Sequence, residues 1–222
     1  LGFPRKGQVF WVSRRQCGCE GEAEEKRQQE QEAKREADAK MLEMLMRAGI
    51  KKRYLNAQVA SAEMSDYLKG FATDQGRGLY LFGSIGCGKT YSASALAREF
   101  AVGGYTVVLT TSTEMLASIQ ETYRNDTSSI EAMNRYSRCD ILLVDDLGKE
   151  SSSSWSVNML FQIVNTRYES MLPIVITSQY SMDSLVKRFS RQGESESAGA
   201  ILSRLRQTCK EVHLHGPDRR QR

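Results

Sequence analysis

Nothing in this 222-residue chain approaches the roughly 18 uninterrupted apolar residues that a membrane-crossing helix requires. No basic-then-apolar leader opens it, so secretion is not expected. Cysteine is scarce and odd in number, five scattered along the chain, which argues against a disulfide framework and fits a reducing cytoplasm. A dominant charge is missing too. Lys and Arg number 31 against 27 Asp and Glu, a balance of +4 that tolerates nucleic acid without arguing for it. The chain begins at Leu1 and not at Met, so a missing upstream piece or a processed start is expected. What is present is a 40% hydrophobic composition, enough to build a core and against full disorder. The length suits one domain plus a modest appendage.

Three zones differ in composition. Residues 1–19 are mixed, with an apolar patch at Val9, Phe10, Trp11 and Val12 and a closing Cys17-Gly-Cys19. Residues 20–46 open on an almost wholly polar run of good helix formers, with opposite charges three or four apart, as in Glu32 and Arg35. With no apolar face before Met41, this reads as a solvated helix or connector and not as a core element. Beyond it the pattern becomes globular, without internal repeats.

Strand and helix signals then alternate. Strands are expected at Leu79–Phe82, Thr106–Thr111, Ile141–Val144, Pro173–Ser178 and Val212–Leu214. Helices are expected at Thr90–Phe100, Thr113–Tyr123, Ser154–Tyr168 and around Ile201–Leu205. Alternation with uninterrupted apolar strands implies an α/β fold, a parallel sheet covered on both faces.

The strongest local signal is Gly83-Ser84-Ile85-Gly86-Cys87-Gly88-Lys89-Thr90, which satisfies every fixed position of G-x-x-x-x-G-K-[ST] between a strand and a helix. Glycines let backbone N–H groups wrap phosphates, and the helix N-terminus favours the same anion. Lys89 brings a charge to the β/γ-phosphates and Thr90 a hydroxyl to Mg²⁺. Cys87 reads as a small filler of the loop, with a reactive thiol as the alternative. A second signal is Ile141-Leu-Leu-Val144-Asp145-Asp146, an apolar strand that carries acids to the edge where sheet ligands bind. Asp145 is the expected Mg²⁺ partner. Asp146 is the candidate to orient or deprotonate water, with a turn-capping acid as its bland alternative. Together these motifs imply binding of a nucleoside triphosphate with Mg²⁺, and its hydrolysis.

The ordered set GSIGCGKT, ILLVDDLG, FQIVNTRY, PIVITSQYS, ILSRLR and the terminal GPDRR, with RAGIKKRYLNAQ upstream, resembles the AAA+ helicase-loader ATPases of the DnaC/DnaI type and the related IstB-type transposition helpers. The resemblance covers residues 47–222 and implies a P-loop AAA+ core that binds ATP and Mg²⁺ and has no C-terminal helical lid. It assigns Gln179 to a sensor position that more usually holds Asn. It makes Arg204 an arginine finger acting on a neighbouring subunit, an effect of about 10³–10⁵ in rate, with Arg206 as the alternative. Arg220 matches the arginine of the family's ending, where Asp218 stands in for the usual Ser. Tyr54 and Ile50 match the adenine-pocket positions. Without a lid, self-association would depend on ATP, DNA or a partner.

Loader relatives carry a zinc module before the ATPase, so Cys17 and Cys19 are candidate halves of a zinc site, against a hairpin without metal. Structural zinc wants four ligands, and only two lie there. His213-x-His215 is the only other pair, and alternate residues of a strand simply share a face. The resemblance implies partners in a replicative hexameric helicase and single-stranded DNA. Lys187, Arg188, Arg191 and Arg138 are candidate phosphate contacts, against the plainer reading of a solvated charged face. The competing readings are an IstB-type helper acting on duplex DNA and a nucleotide switch that does not hydrolyse. A small-molecule kinase is disfavoured, because no Arg-rich lid segment is present.

Overall fold

A computed structural model describes residues 20–71, 73, 76–124, 129–149, 153–190 and 195–218. The chain divides into two units, Leu1–Met41 and Leu42–Arg222. In the first, the described residues are the leading part of helix α1 (Glu20–Arg47), whose side chains from Ala23 to Met41 are all exposed, as expected of a run without an apolar face.

The second unit is built on five parallel strands: β1 (Gly78–Phe82), β2 (Val107–Thr111), β3 (Ile141–Leu147), β4 (Ile174–Ser178) and β5 (Cys209–His213). Their order across the sheet is β2-β3-β4-β1-β5. The period of two along each strand splits the core into two layers. Tyr80, Leu142, Val144, Ile174 and Ile176 face one side, against α4 (Ser112–Arg124), α5 (Ser129–Ser137), α6 (Ser154–Glu169), α7 (Met182–Ser190) and α8 (Ser195–Thr208). Leu79, Leu81, Ile141, Leu143 and Val175 face the other, against the end of α1, α2 (Ala62–Gly70) and α3 (Lys89–Val102). Both faces are covered, which is why the strands read as continuous apolar runs.

Four features depart from the sequence expectation. Strand β5 runs over Cys209–His213 and not Val212–Leu214, because its exposed Lys210 and Glu211 hide its start. Helices α2, α5 and α7 were not foreseen; each is only nine residues long. Strand β3 does not stop at Val144 but runs on through both acids to Leu147, with a register shift against β4 between Val144 and Leu147. That irregularity lets consecutive acids take different orientations at the sheet edge. Ile50 is 2% exposed within the core layer of Leu45, Ala48 and Leu79, so it is a packing residue and not part of a nucleotide pocket.

The chain after α1 is tied to the sheet by the Leu109 amide, which donates to the Ala48 carbonyl at 2.7 Å. Lys51 is then paired with Glu114 of α4 at 2.9 Å. These ties fix the short 3₁₀ helix Lys52–Tyr54. Across the sheet, the guanidinium of Arg167 on α6 is 1% exposed and donates to the carbonyls of Tyr136, Cys139, Asp140 and Pro173.

Candidate nucleotide site

The segment between β1 and α3 folds as a glycine turn at the carboxyl edge of the sheet. Gly86 has φ +79° and Gly88, which caps α3, has φ +104°, conformations that side chains resist. A Cβ on Gly86 would also collide with the Asp218 carboxylate. Lys89 is buried, and its Nζ donates to the Gly83 carbonyl at 2.9 Å and the Ser84 carbonyl at 2.7 Å. Its ammonium therefore lies folded within the loop, satisfied by backbone oxygen. Cys87 is buried with its Sγ 3.9 Å from that ammonium, in keeping with a filler of the loop.

Thr90 Oγ1 donates to Asp145 Oδ2 at 2.9 Å, joining the first turn of α3 to β3. Thr177 of β4 donates to the other carboxylate oxygen, Oδ1, at 2.5 Å, and accepts the Asp146 amide at 2.9 Å. Burial pushes the Asp145 carboxyl above the usual carboxylate range; the Thr177 bond opposes this, and the neighbouring Asp146 charge adds to it. Asp146 has φ +59°, which turns its carboxylate away from that of Asp145 and onto Lys149 Nζ at 2.7 Å.

A cleft of about 350 Å³ opens over these groups, lined by residues that include Tyr54, Ile85, Lys89, Thr90, Asp146 and Gln179. That volume is in the range of small-ligand sites. The donor set suits a nucleoside triphosphate with Mg²⁺: an ammonium and a glycine turn for phosphate, a hydroxyl and a carboxylate for a hard divalent ion. A divalent cation beside Asp145 would also compensate the charge that burial disfavours.

Of the residues singled out in the sequence, Tyr54, Ile85, Gly86, Gly88, Lys89, Thr90, Asp146 and Gln179 line one cleft, and Asp145 is bonded to it through Thr90. Gly83, Ser84 and Cys87 belong to the turn without lining it. Arg204 lies elsewhere: it donates to Asn165 Oδ1 at 2.7 Å and stacks on Phe161 and Tyr168 of α6. Arg206 pairs with Asp183. Arg220, Arg191, Cys17 and Cys19 lie outside the described residues. Among the described residues, no group of three or more His, Cys, Asp or Glu is arranged to hold a metal ion. The His213 and His215 rings adjoin at 3.7 Å, with His213 stacked on Phe82. No described helix is long and apolar enough to cross a membrane.

Four further residues belong to the site without a role assigned from the sequence. Thr177 links both acids, and Arg53, Tyr91 and Lys149 line the cleft. The Tyr91 hydroxyl accepts the Gln58 amide at 3.1 Å, which sets the ring as a wall. Each of the four lies close to a residue singled out in the sequence: Arg53 beside Tyr54, Tyr91 beside Thr90, Lys149 three after Asp146 and Thr177 two before Gln179.

Comparison with known proteins agrees with this geometry. The family model described as IstB-like ATP binding protein matches residues 22–222. The replicative helicase loader DnaI of Bacillus subtilis is 30% identical over 163 residues, covering 71% of this chain and 52% of DnaI. The replicative helicase loader DnaC of Escherichia coli is 28% identical over 106 residues, covering 47% of this chain and 43% of DnaC. The chain thus spans about half the length of the curated relatives it matches. Among solved structures, that of DnaI superposes with a TM-score of 0.63 at 24% identity, over 72% of this chain and 89% of that one. The DnaC helicase loader gives the same TM-score at 20% identity, over 74% and 100%. What these structures share with the chain is the fold, a parallel sheet flanked by helices.

Proposed function

Given that this chain belongs to the family of IstB-like ATP-binding proteins, we propose that it binds and hydrolyses ATP with Mg²⁺ and helps to place a hexameric replicative helicase on single-stranded DNA. The observation that carries the ATPase part is the meeting of Lys89, Thr90, Asp146 and Gln179 in one cleft, with Asp145 hydrogen-bonded to its edge. The helicase is proposed from what DnaI and DnaC are named for, and the single-stranded DNA from the family resemblance.

When bound, ATP with Mg²⁺ supplies a phosphoanhydride bond to break and a charge to neutralise. The rest falls to side chains. Lys89 exchanges the Gly83 and Ser84 carbonyls for phosphate oxygens. Thr90 and Asp145, now bonded to each other, are the residues that would hold the metal. Asp146 accepts a proton or a hydrogen bond from the attacking water, and the Gln179 amide donates to the phosphate side. Tyr54 covers the base. Arg204, which is absent from its own cleft, acts on a neighbour's. Nucleotide state then sets affinity for DNA and helicase through contacts made only with the triphosphate. Domain limits of 1–19, 20–46 and 47–222 fit this division into front end, tether and motor.

A pull-down with replicative helicase in ATP and in ADP tests the loader reading. Capture that depends on nucleotide supports it. Capture of duplex DNA without any helicase would favour the transposition-helper reading instead. Asp146→Asn should retain ATP binding and lose turnover by at least about 10²-fold, the usual weight of a general base. Turnover that survives this change would identify another group as the base, and a wild-type protein with no turnover in the presence of DNA would leave only a nucleotide switch.

A further inference from the structure

Lys149 has no place in either motif, yet it is the cation nearest the acid assigned to water. Its Nζ meets Asp146 Oδ2 at 2.7 Å, and both residues line the cleft. The two partners are not equally held. The Asp146 amide is bound by Thr177 Oγ1 at 2.9 Å, and its carbonyl accepts the Ser112 hydroxyl at 3.3 Å and the Lys149 amide at 3.3 Å. The Lys149 side chain is 48% exposed against 25% for Asp146. The aspartate is thus pinned from its backbone, while the lysine reaches in from solvent on a flexible stem. A half-exposed pair of this kind contributes little to stability, so a competing anion readily takes the ammonium.

Position decides which anion that is. Asp146 is bonded to Thr177, Thr177 to Asp145, and Asp145 to Thr90. Lys149 therefore belongs to the end of the cleft that holds the metal ligands and the acids. Tyr54 and Tyr91, which offer ring faces, come from the 3₁₀ helix and α3. We infer that Lys149 is a positioning residue that reads the terminal phosphate of a nucleoside triphosphate. It neutralises Asp146 while that phosphate is absent. Drawn off by the higher charge of the phosphate, it leaves the Asp146 carboxylate free to accept a hydrogen bond from water. The diphosphate does not reach it, so the exchange tells ATP from ADP. This rests on the ATP reading of the cleft.

The test compares the full chain with Lys149→Met, Lys149→Gln and Lys149→Arg by calorimetric titration with Mg²⁺ and either ADP or a non-hydrolysable ATP analogue. Both neutral variants should bind the analogue about tenfold more weakly, the size of one hydrogen bond to a charged group. Their ADP affinity should stay at the wild-type value, and Lys149→Arg should restore the discrimination. Equal losses for both nucleotides, or no change for either, would overturn the role of Lys149 while leaving ATP binding intact. A wild-type chain that binds neither nucleotide would overturn the ATP reading and this inference together, and it would be seen before any variant is made.

Discussion

The hydroxyl of Thr177 touches both acids of the site, giving its proton to Asp145 and taking the amide proton of Asp146. One oxygen thereby sets where the two acids stand. Thr177→Val keeps the shape and removes the oxygen. We expect nucleotide binding to remain and turnover to fall about 10–100-fold, as when a ligand-orienting group is lost; steady-state ATPase assays check it. An unchanged rate would mean that the bulged strand positions the acids unaided. At this scale the site was legible only where it is contiguous. Eight residues of the phosphate loop and two adjacent acids announce themselves because backbone wrapping and strand-edge placement are local demands. Thr177 and Arg53 lie in segments that carry the family likeness and Lys149 just beyond the acids, but only the fold shows that Arg53 and Lys149 line the cleft and that Thr177 bonds both acids. Gln179 was found through the family likeness and not from its own chemistry.

Elements carry the next set of constraints. Strands β1, β3 and β4 were readable because burial on both faces makes most of each a continuous apolar run, whereas exposed Lys210 and Glu211 hid the start of β5. The nine-residue helices α2, α5 and α7 offer barely two turns of pattern, too few to separate a helical period from chance. Arg167 in α6 was part of a quoted motif, but its task could not be read there. It closes four carbonyls from α5, the β3 approach and the β4 approach. Arg167→Met should cost about 3 kcal/mol or more in urea unfolding, because several buried acceptors lose their donor at once. Arg167→Lys should recover little, lacking the planar fork. The starts of β2 and β3 are joined by Asp140, whose Oδ2 accepts both the Thr106 amide at 2.7 Å and the Thr106 hydroxyl at 2.6 Å. The hydroxyl and amide hold its carboxyl below the ordinary 3.8. A depressed carboxyl contributes stability above its unfolded value and loses it as pH falls through the folded one. Thr106→Val should therefore cost about 0.5–1 kcal/mol at neutral pH, the low end for an exposed bond. Its cost relative to wild type should shrink below pH 3.8, as denaturant midpoints across acid pH will report.

For the molecule as a whole, Arg204 is the proposed site residue that stands apart from the cleft. Arg204 is occupied by Asn165 and the rings of Phe161 and Tyr168. The proposal that Arg204 is an arginine finger serving a second subunit can be decided by a mixing experiment. Arg204→Ala keeps its cleft but has no finger, and Lys89→Ala keeps its finger but has lost its phosphate cation. Each alone should lack DNA- or partner-stimulated turnover, and the mixture should regain a fraction of it. If the mixture stays inactive, Arg204 is a packing residue of α6 and α8.

The route taken after β5 has a mechanical meaning. The Leu214 amide grips the Phe82 carbonyl at 2.7 Å, the Leu214 carbonyl fills the place that a Cβ on Gly83 would need, and Asp218 rests against Gly86. Three successive fastenings thus run from the tail to the loop. A displacement of residues 214–218 would therefore be transmitted straight to the glycine turn.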